Sequence, residues 1–246
     1  MRPLLLKGGR IVDPAASLDS LLDLRLRDGV IAEIGEDLDA GRDDEILDAH
    51  GAVVAPGFID MHVHLREPGF PEKETVATGT EAAVRGGFTA VACMPNTNPA
   101  LDDPTVVTGL IQTIKREARC RVYPVAAITR GRRGTQPCDY APLAAAGAVA
   151  FSDDGDSIED TGVLRDAVLR ARGLDAPFID HCIPEESLVA RDLELSAQTG
   201  KRWHIAHVST AAALKSIAAA REHGGAVTCE VTPHHLTFTH ALVARA

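Results

Sequence analysis

The sequence is poor in aromatic residues, in positive charge and in long apolar runs. Only 4% of its 246 residues are Phe, Trp or Tyr, so we expect a core built mainly from Ala, Val, Leu and Ile. Lys and Arg number 25 against 35 Asp and Glu, whereas a nucleic-acid-binding surface usually shows a basic excess. No apolar run approaches the roughly 18 residues of a membrane helix, and the N-terminus lacks the apolar core of a signal peptide. We therefore expect a soluble globular protein with neither nucleic-acid nor membrane partners.

Cysteine is also scarce, and its spacing suggests no disulfide framework. The five cysteines form no Cys-x-x-Cys pair, and their odd number leaves one over in any set of disulfides. Disulfides persist mainly in oxidising compartments. The simplest expectation is a reduced, cytoplasmic protein.

The predicted elements divide the chain into a small β unit and an α/β region. Residues 1–55 hold short apolar stretches with predicted turns at Gly8-Gly9 and Asp28-Gly29, and Asp-Gly between alternating runs is a strong hairpin signal. Over residues 56–246, seven apolar β-prone runs alternate with helix-like segments, a pattern typical of βα units and a parallel sheet. A closed (β/α)8 barrel needs eight strands. The seven runs therefore predict either an open sheet or most of a TIM-type barrel.

Metal-binding residue types end four of these predicted strands. His62 and His64 are two apart on the first strand, so both side chains project from the same face. Aspartates at 153–156 follow the fourth strand, His181 follows the fifth, and the segment 204–207 with two histidines ends the sixth. Barrel enzymes build their active sites at these strand ends, and Zn²⁺ accepts imidazole and carboxylate ligands together. Each group alone would suit packed histidines or an acidic capping turn; together they predict a metal site.

Two further polar residues suit the binding of an acidic substrate. Arg66 follows His64 by two residues, and a guanidinium fork beside a metal suits a carboxylate. The alternative for Arg66 is a surface ion pair with Glu67. Asn96 ends the second predicted strand and can both donate and accept hydrogen bonds, although Asn is also a common turn residue.

These segments also resemble a known family. The run GFIDMHVHLREPG, continuing to MPNTNP, is similar to the signature of dihydroorotases, which belong to the cyclic amidohydrolase group of metal-dependent barrels. FSDDG, DHC, HVST and EVTPHHL resemble later blocks of the same family in the same order, so the likeness covers roughly residues 50–240. It implies an α/β fold, a (β/α)8 TIM-type barrel of the amidohydrolase kind. The barrel is here incomplete, with about seven strands over residues 56–246. Residues 1–55 are then half of a composite β-sandwich.

The resemblance implies two Zn²⁺ ions per chain. His62 and His64 match ligands of the first zinc, and His181 and His207 match ligands of the second. Asp154 matches the carboxylate that bridges both ions.

For the substrate, the resemblance implies that its carboxylate is held by His64, Arg66 and Asn96. His234 and His235 lie in a family motif, but we expect them to have a structural role rather than to bind metal.

The implied reaction is the reversible cyclisation of N-carbamoyl-L-aspartate to L-dihydroorotate in de novo pyrimidine (UMP) biosynthesis. The family's proton-relay aspartate lies in an eighth-strand Asp-His-Ala-Pro-His block, which this sequence does not contain, so the catalytic residue stays unassigned. The stretch between His181 and His207 also looks shorter than is usual in the family. We therefore expect a longer natural protein or a partner chain, either a second copy or an aspartate transcarbamoylase. The 246 residues alone should show weak turnover or none.

Three other interpretations stay open. An allantoinase- or hydantoinase-like cyclic amidase would commonly carry a carboxylated lysine on strand four, where this sequence has Asp154. A non-catalytic dihydroorotase-like partner of aspartate transcarbamoylase would usually have lost metal ligands, which are present here, although the missing eighth strand favours it. The third interpretation is an α/β domain whose histidines merely pack in the core. It would require that metal-binding residue types end four strands by coincidence.

Overall fold

The computed structural model describes residues 2–243, which divide into two compact units with the boundary between Phe58 and Ile59. The first unit is a five-stranded sheet of β1 (Leu4–Asp13), β2 (Leu18–Arg27), β3 (Val30–Gly35), β4 (Glu45–Asp48) and β5 (Val53–Val54). β1 pairs antiparallel with β2 and β2 antiparallel with β3, while β4 and β5 both pair parallel with β1. The small β unit predicted from the sequence is thus a single mixed sheet.

The two glycine turns predicted in this unit have different outcomes. Asp28 and Gly29 both have positive φ and join β2 to β3, as a tight hairpin requires, so that prediction is confirmed. The turn predicted at Gly8-Gly9 is wrong, because β1 runs through both glycines with a shift of register. Gly8 has φ +70°, and a Cβ there would lie 2.3 Å from Nε2 of His50. These glycines allow a β-bulge and a close side-chain approach rather than a chain reversal.

The second unit is built on a seven-stranded sheet in the order β12-β11-β10-β9-β8-β7-β6. Its strands, in chain order, are β6 (Phe58–Val63), β7 (Phe88–Cys93), β8 (Arg121–Ala126), β9 (Ala150–Ser152), β10 (Phe178–Asp180), β11 (Trp203–Ile205) and β12 (Val227–Cys229). Neighbouring strands from β7 to β12 pair in parallel. All seven predicted strands are therefore confirmed, and their carboxyl ends lie along one edge of the sheet.

Helices connect these strands. They are α1 (Val76–Arg85), α2 (Pro104–Glu117), α3 (Tyr140–Ala145), α4 (Thr161–Arg170), α5 (Glu185–Thr199) and α6 (Ala211–Glu222), followed after β12 by α7 (Pro233–Thr237) and α8 (His240–Val243). Side chains of Thr75, Asp103, Asp160 and Thr210 accept backbone N–H groups at the starts of α1, α2, α4 and α6. Gly200, with φ +69°, ends α5. These caps satisfy backbone groups that a helix leaves unpaired.

Four of the nine aromatic residues pack together in the core of the second unit. Tyr140, Phe151, Phe178 and Trp203 are fully buried and lie in edge or tilted contact, with ring centroids 4.8–6.0 Å apart. They belong to a large cluster with apolar residues of α4, α5 and α6. Strand residues whose side chains point to the opposite face of the sheet form a second, smaller cluster, which includes Val125, Ala150 and Ile179. Because strand side chains alternate between faces, the helices pack on the aromatic face.

β6 and β12 form the two edges of this sheet. On β6, Ile59 is 65% exposed and Met61 48%, so this edge strand carries exposed apolar side chains. Among the residues that the structure describes, no helix is both long and apolar enough to span a membrane.

Candidate metal centre

The ends of four strands bring the predicted ligands together. His62 lies on β6 and His64 directly after it, Asp154 follows β9 by two residues, His181 follows β10 directly, and His207 follows β11 by two residues. All five are buried or half-buried. The parallel strands share one edge, and this edge is where the five side chains meet.

Asp154 lies at the centre of this group. Its Oδ1 lies 3.2 Å from Nε2 of His62, 3.6 Å from Nε2 of His207 and 3.7 Å from Nδ1 of His181. Its Oδ2 lies 3.6 Å from Nε2 of His64. Two triads therefore share one carboxylate: His62, His64 and Asp154 form the first, and Asp154, His181 and His207 the second. Each triad has its three donor atoms within 4.8 Å of one another and could hold a metal ion.

The electrostatics follow from this crowding. Burial disfavours ionisation of Asp154, but interactions with His207 and His62 outweigh it and hold its pKa well below the ordinary value. Burial likewise disfavours the charged form of His62, yet Asp154 and Glu230 raise its pKa to about 10. Burial lowers the pKa of His64 and, together with the charge of His207, that of His181. Asp154 is thus the ionised partner of a protonated His62, and the His62 proton would have to leave on metal binding, since a metal ligand must be deprotonated.

The neighbouring aspartate has a different environment. Oδ1 of Asp153 accepts the backbone N–H groups of Ile128 and Thr129 at 2.8 and 2.9 Å, and Oδ2 accepts the Thr129 hydroxyl. Burial raises the pKa of Asp153 to about 6 despite these hydrogen bonds. Asp153 therefore anchors the loop that follows β8, whereas Asp154 faces the histidines.

Two side chains orient the histidines from behind. Glu230, just beyond β12, has Oε1 2.5 Å from Nδ1 of His62 and Oε2 3.3 Å from Nε2 of His204. Burial opposes its ionisation, but His204 and His62 lower the pKa of Glu230 to about 2. Oδ1 of Asn96 lies 2.9 Å from Nδ1 of His64. A partner on one ring nitrogen fixes which nitrogen is free to bind a metal.

Arg66 follows His64 in a left-handed backbone conformation with φ 59°. Its charge contributes to lowering the pKa of His64, after burial as the main cause. The carboxylate of Glu67 accepts the backbone N–H of Val76 at 2.7 Å. Glu67 therefore stabilises the start of α1, and no ion pair between Arg66 and Glu67 is found among the described residues.

A cavity of about 490 Å³ opens beside His181 and His207. Its lining also contains Cys182, Ile183, Glu185, Ser209, Thr232, His234 and His235. His234 and His235 lie on α7, and the side chain of Thr232 accepts the N–H of His235 at the start of that helix. Within residues 2–243, neither histidine belongs to a triad able to hold a metal; their structural role stays a prediction.

Comparison with known proteins identifies the family. Residues 51–189 match the family described as dihydro-orotase-like. This chain belongs to the dihydroorotase-like family. The resemblance seen in the sequence is thereby confirmed.

Individual relatives carry the same name. The chain is 41% identical to a dihydroorotase of Solibacter usitatus, over 98% of this chain and 62% of the relative. It is 45% identical to a dihydroorotase of Pelotomaculum thermopropionicum, over 96% of this chain and 61% of the relative. The chain thus spans about three fifths of the length of the curated relatives it matches. The first alignment runs over 269 positions, more than the 246 residues here, so that dihydroorotase also has segments without a counterpart in this chain.

Solved structures establish the fold. An L-hydantoinase from Arthrobacter aurescens superposes with a TM-score of 0.86 at 20% identity, over 100% of this chain and 61% of that one. A D-hydantoinase from Thermus sp. gives a TM-score of 0.77 at 24% identity, over 98% of this chain and 60% of that one. The predicted barrel of the amidohydrolase kind is confirmed, with seven of its strands supplied by this dihydroorotase-like chain.

Two contacts of the centre were not predicted from the sequence. Glu230 stands in the EVTPHHL block, but no local pattern shows that it reaches His62, 168 residues away. The side-chain oxygen of Asn96 also lies 2.9 Å from Nδ1 of His64, a contact that the sequence did not show; the substrate-binding role of Asn96 stays a prediction. Of the two neighbouring aspartates, Asp154, which the resemblance singled out, faces the histidines, and Asp153 accepts the N–H groups of Ile128 and Thr129.

Proposed function

We propose that this protein acts as a zinc-dependent dihydroorotase that interconverts N-carbamoyl-L-aspartate and L-dihydroorotate. The observation that carries the proposal is the single ionised carboxylate of Asp154 shared by two histidine pairs. The dihydroorotase names of relatives 41–45% identical over nearly all of this chain support it. Zn²⁺ at both triads, with Asp154 as bridge, belongs to the proposal.

The donor set fits zinc. Imidazole nitrogen and carboxylate oxygen are zinc ligands, and a catalytic zinc takes about three protein ligands and keeps a position open. Each triad offers three such donors from half-buried or buried residues. Bound divalent ions would supply an activated nucleophile near neutral pH and polarise the scissile carbonyl.

Side chains of this protein orient the metal-binding histidines and are proposed to bind the substrate. Glu230 holds His62 and Asn96 holds His64, so both rings keep one nitrogen directed at Asp154. Arg66, two residues beyond His64, is proposed to bind the substrate carboxylate, because a guanidinium forms paired charge-assisted hydrogen bonds with a carboxylate. His64 and Asn96 are proposed to complete the carboxylate pocket. No residue among the 246 is assigned to proton transfer at the ring nitrogen.

Removing the carboxylate behind His62 should weaken zinc binding. We expect Glu230→Ala to lower zinc affinity by roughly 10- to 100-fold, the usual cost of losing such a supporting contact. Competition with a chromogenic chelator measures this affinity. Glu222→Ala, at the end of α6, is the matched control and should bind zinc like the unchanged protein. Equal affinities for the two variants would contradict the role given to Glu230.

Substrate class is tested by comparing two ligands that differ in one group. Dihydroorotate and 5,6-dihydrouracil share a ring, and only the first has a carboxylate. By calorimetry on zinc-loaded protein we expect tighter binding of dihydroorotate, and Arg66→Met should weaken it by roughly 10- to 100-fold, since a hydrogen bond to a charged group contributes about 1.5–3 kcal/mol. Binding of dihydrouracil should not change. Arg85→Met, a surface arginine paired with Glu81, is the control.

The remaining interpretations predict other results. The hydantoinase- or allantoinase-like alternative would be favoured if dihydrouracil, hydantoin or allantoin bound more tightly than dihydroorotate. The hydantoinases that superpose on this chain share its fold. Co-purification with an aspartate transcarbamoylase, with no bound zinc, would favour the non-catalytic partner. From the family resemblance we further propose that the protein takes part in pyrimidine biosynthesis, that it forms a homo-oligomer and that it is located in the cytoplasm.

A further inference from the structure

Hydrogen bonds link the loops that carry the second triad. The Ser157 hydroxyl, three residues after Asp154, donates to the carbonyl of His181 at 2.6 Å and accepts the N–H of Ile183 at 2.9 Å. The loop after β9 is therefore attached to the residue that follows β10. Helix α5 starts two residues after Ile183 and contacts both the loop after β9 and the loop after β11.

The first of these contacts is made by Arg191, whose side chain is only 11% exposed. Its guanidinium lies 3.3 Å from Oδ2 of Asp180, the last residue of β10 and the neighbour of His181. It also donates to the carbonyl of Ile158 in the loop that follows Asp154. Asp192, fully buried, accepts from Nε of Arg191 at 2.8 Å and holds the fork in place. One guanidinium thus joins α5, the end of β10 and the loop after β9.

The second contact is made by Glu185 in the first turn of α5. Its carboxylate accepts the N–H groups of Ser209 and Thr210 at 2.8–3.1 Å, and the Ser209 hydroxyl at 2.5 Å. Ser209 follows His207 by two residues, and Thr210 is the N-cap residue of α6. His207 itself has a positive φ of 35°, a backbone conformation that needs support from its surroundings.

We propose that α5 is the positioning element of the second triad, with Arg191 and Glu185 as positioning residues that set the separation of Asp154, His181 and His207. Each residue bonds the loops and not the ligand side chains. Three loops that end separate strands must hold three donor atoms within one coordination sphere. A metal tolerates ligand displacements of only a few tenths of an ångström. Loosening the loops therefore lowers affinity most at this triad, which takes all three of its ligands from them, and less at the first triad, which shares only Asp154.

This proposal rests on the proposed metal centre, and the experiment separates the two. Zinc affinity at each of two sites is measured by chelator competition, and the absorption spectrum of Co²⁺-loaded protein reports ligand geometry. The variants are Arg191→Met, Arg191→Lys and Glu185→Gln. Glu186→Gln, the exposed neighbour in the same helical turn, and Arg165→Met, which loses a surface contact from α4 to Gln198 of α5, are the controls.

We expect one of the two sites to weaken by about ten-fold in each α5 variant, with an altered Co²⁺ spectrum, and both controls to match the unchanged protein. Arg191→Lys keeps the charge without the fork and should recover only part of the loss. Variants with a lower melting temperature but unchanged affinity and spectrum would show that α5 acts only on folding, and would overturn the proposal. If Arg191→Met does not fold, Arg191→Lys and Glu185→Gln decide. Absence of two zinc sites in the unchanged protein would instead reject the proposed function.

Discussion

Replacing Asp154 with asparagine is expected to remove zinc binding from both triads at once. The side chain keeps its shape but loses the charge that four imidazoles face at 3.2–3.7 Å. Because both triads share this carboxylate, neither retains three donors of the kind that zinc binds. We expect affinity to fall by more than roughly 100-fold, beyond the loss typical of a supporting residue.

Metal analysis of the purified variant, with chelator competition at neutral pH, measures this effect. Asp156→Asn is the matched control, since that carboxylate lies two residues away but pairs with Arg132 at 2.5 Å. The control should bind as much zinc as the unchanged protein. Two tightly bound zinc ions in Asp154→Asn would show that this carboxylate does not bridge the site.

The largest stability effect is expected for Phe178→Ala. Phe178 is 0% exposed and lies among Tyr140, Phe151 and Trp203, with centroids 5.6–6.0 Å away. Deleting a buried phenylalanine ring costs about 3–5 kcal/mol, because transfer free energy is lost and a cavity remains. With only 4% aromatic residues in the chain, this cluster supplies much of the large buried side-chain volume of the core.

Urea denaturation followed by circular dichroism gives the change in the free energy of unfolding, provided that the m-value is unchanged. Phe238→Ala is the control. That side chain is 52% exposed, so its loss should cost less than about 1 kcal/mol. Equal losses for the two variants would mean that the aromatic cluster does not contribute to stability as its burial indicates.

The family resemblance and the strand pattern were sufficient to place His62, His64, Asp154, His181 and His207 at one edge of the sheet. That placement needs no knowledge of the packing. Each residue lies in the last part of an apolar run or just beyond it, and the carboxyl ends of parallel strands meet at the same edge. The Asp28-Gly29 hairpin was predictable for a similar reason, since the turn type is set by the residues within it.

One prediction failed, and one contact was missed, where the outcome depended on residues far apart in the chain. Gly8-Gly9 has the composition of a turn, but His50 and the neighbouring strands make it a bulge within β1. The contact of Asn96 with His64, at 2.9 Å, was not predictable, because an amide side chain can serve a substrate, a histidine or both by its chemistry.

The sequence by itself determined the order of strands and helices, the barrel class and the residue types that end each strand, because these follow from local periodicity and from family motifs. Only the tertiary structure decided that Asp153 anchors the loop after β8, that Glu230 supports His62, and that Arg191 of α5 joins two loops. These contacts depend on how separate strand ends approach one another. That approach is set by packing of the whole sheet and its helices, which no local stretch of sequence specifies.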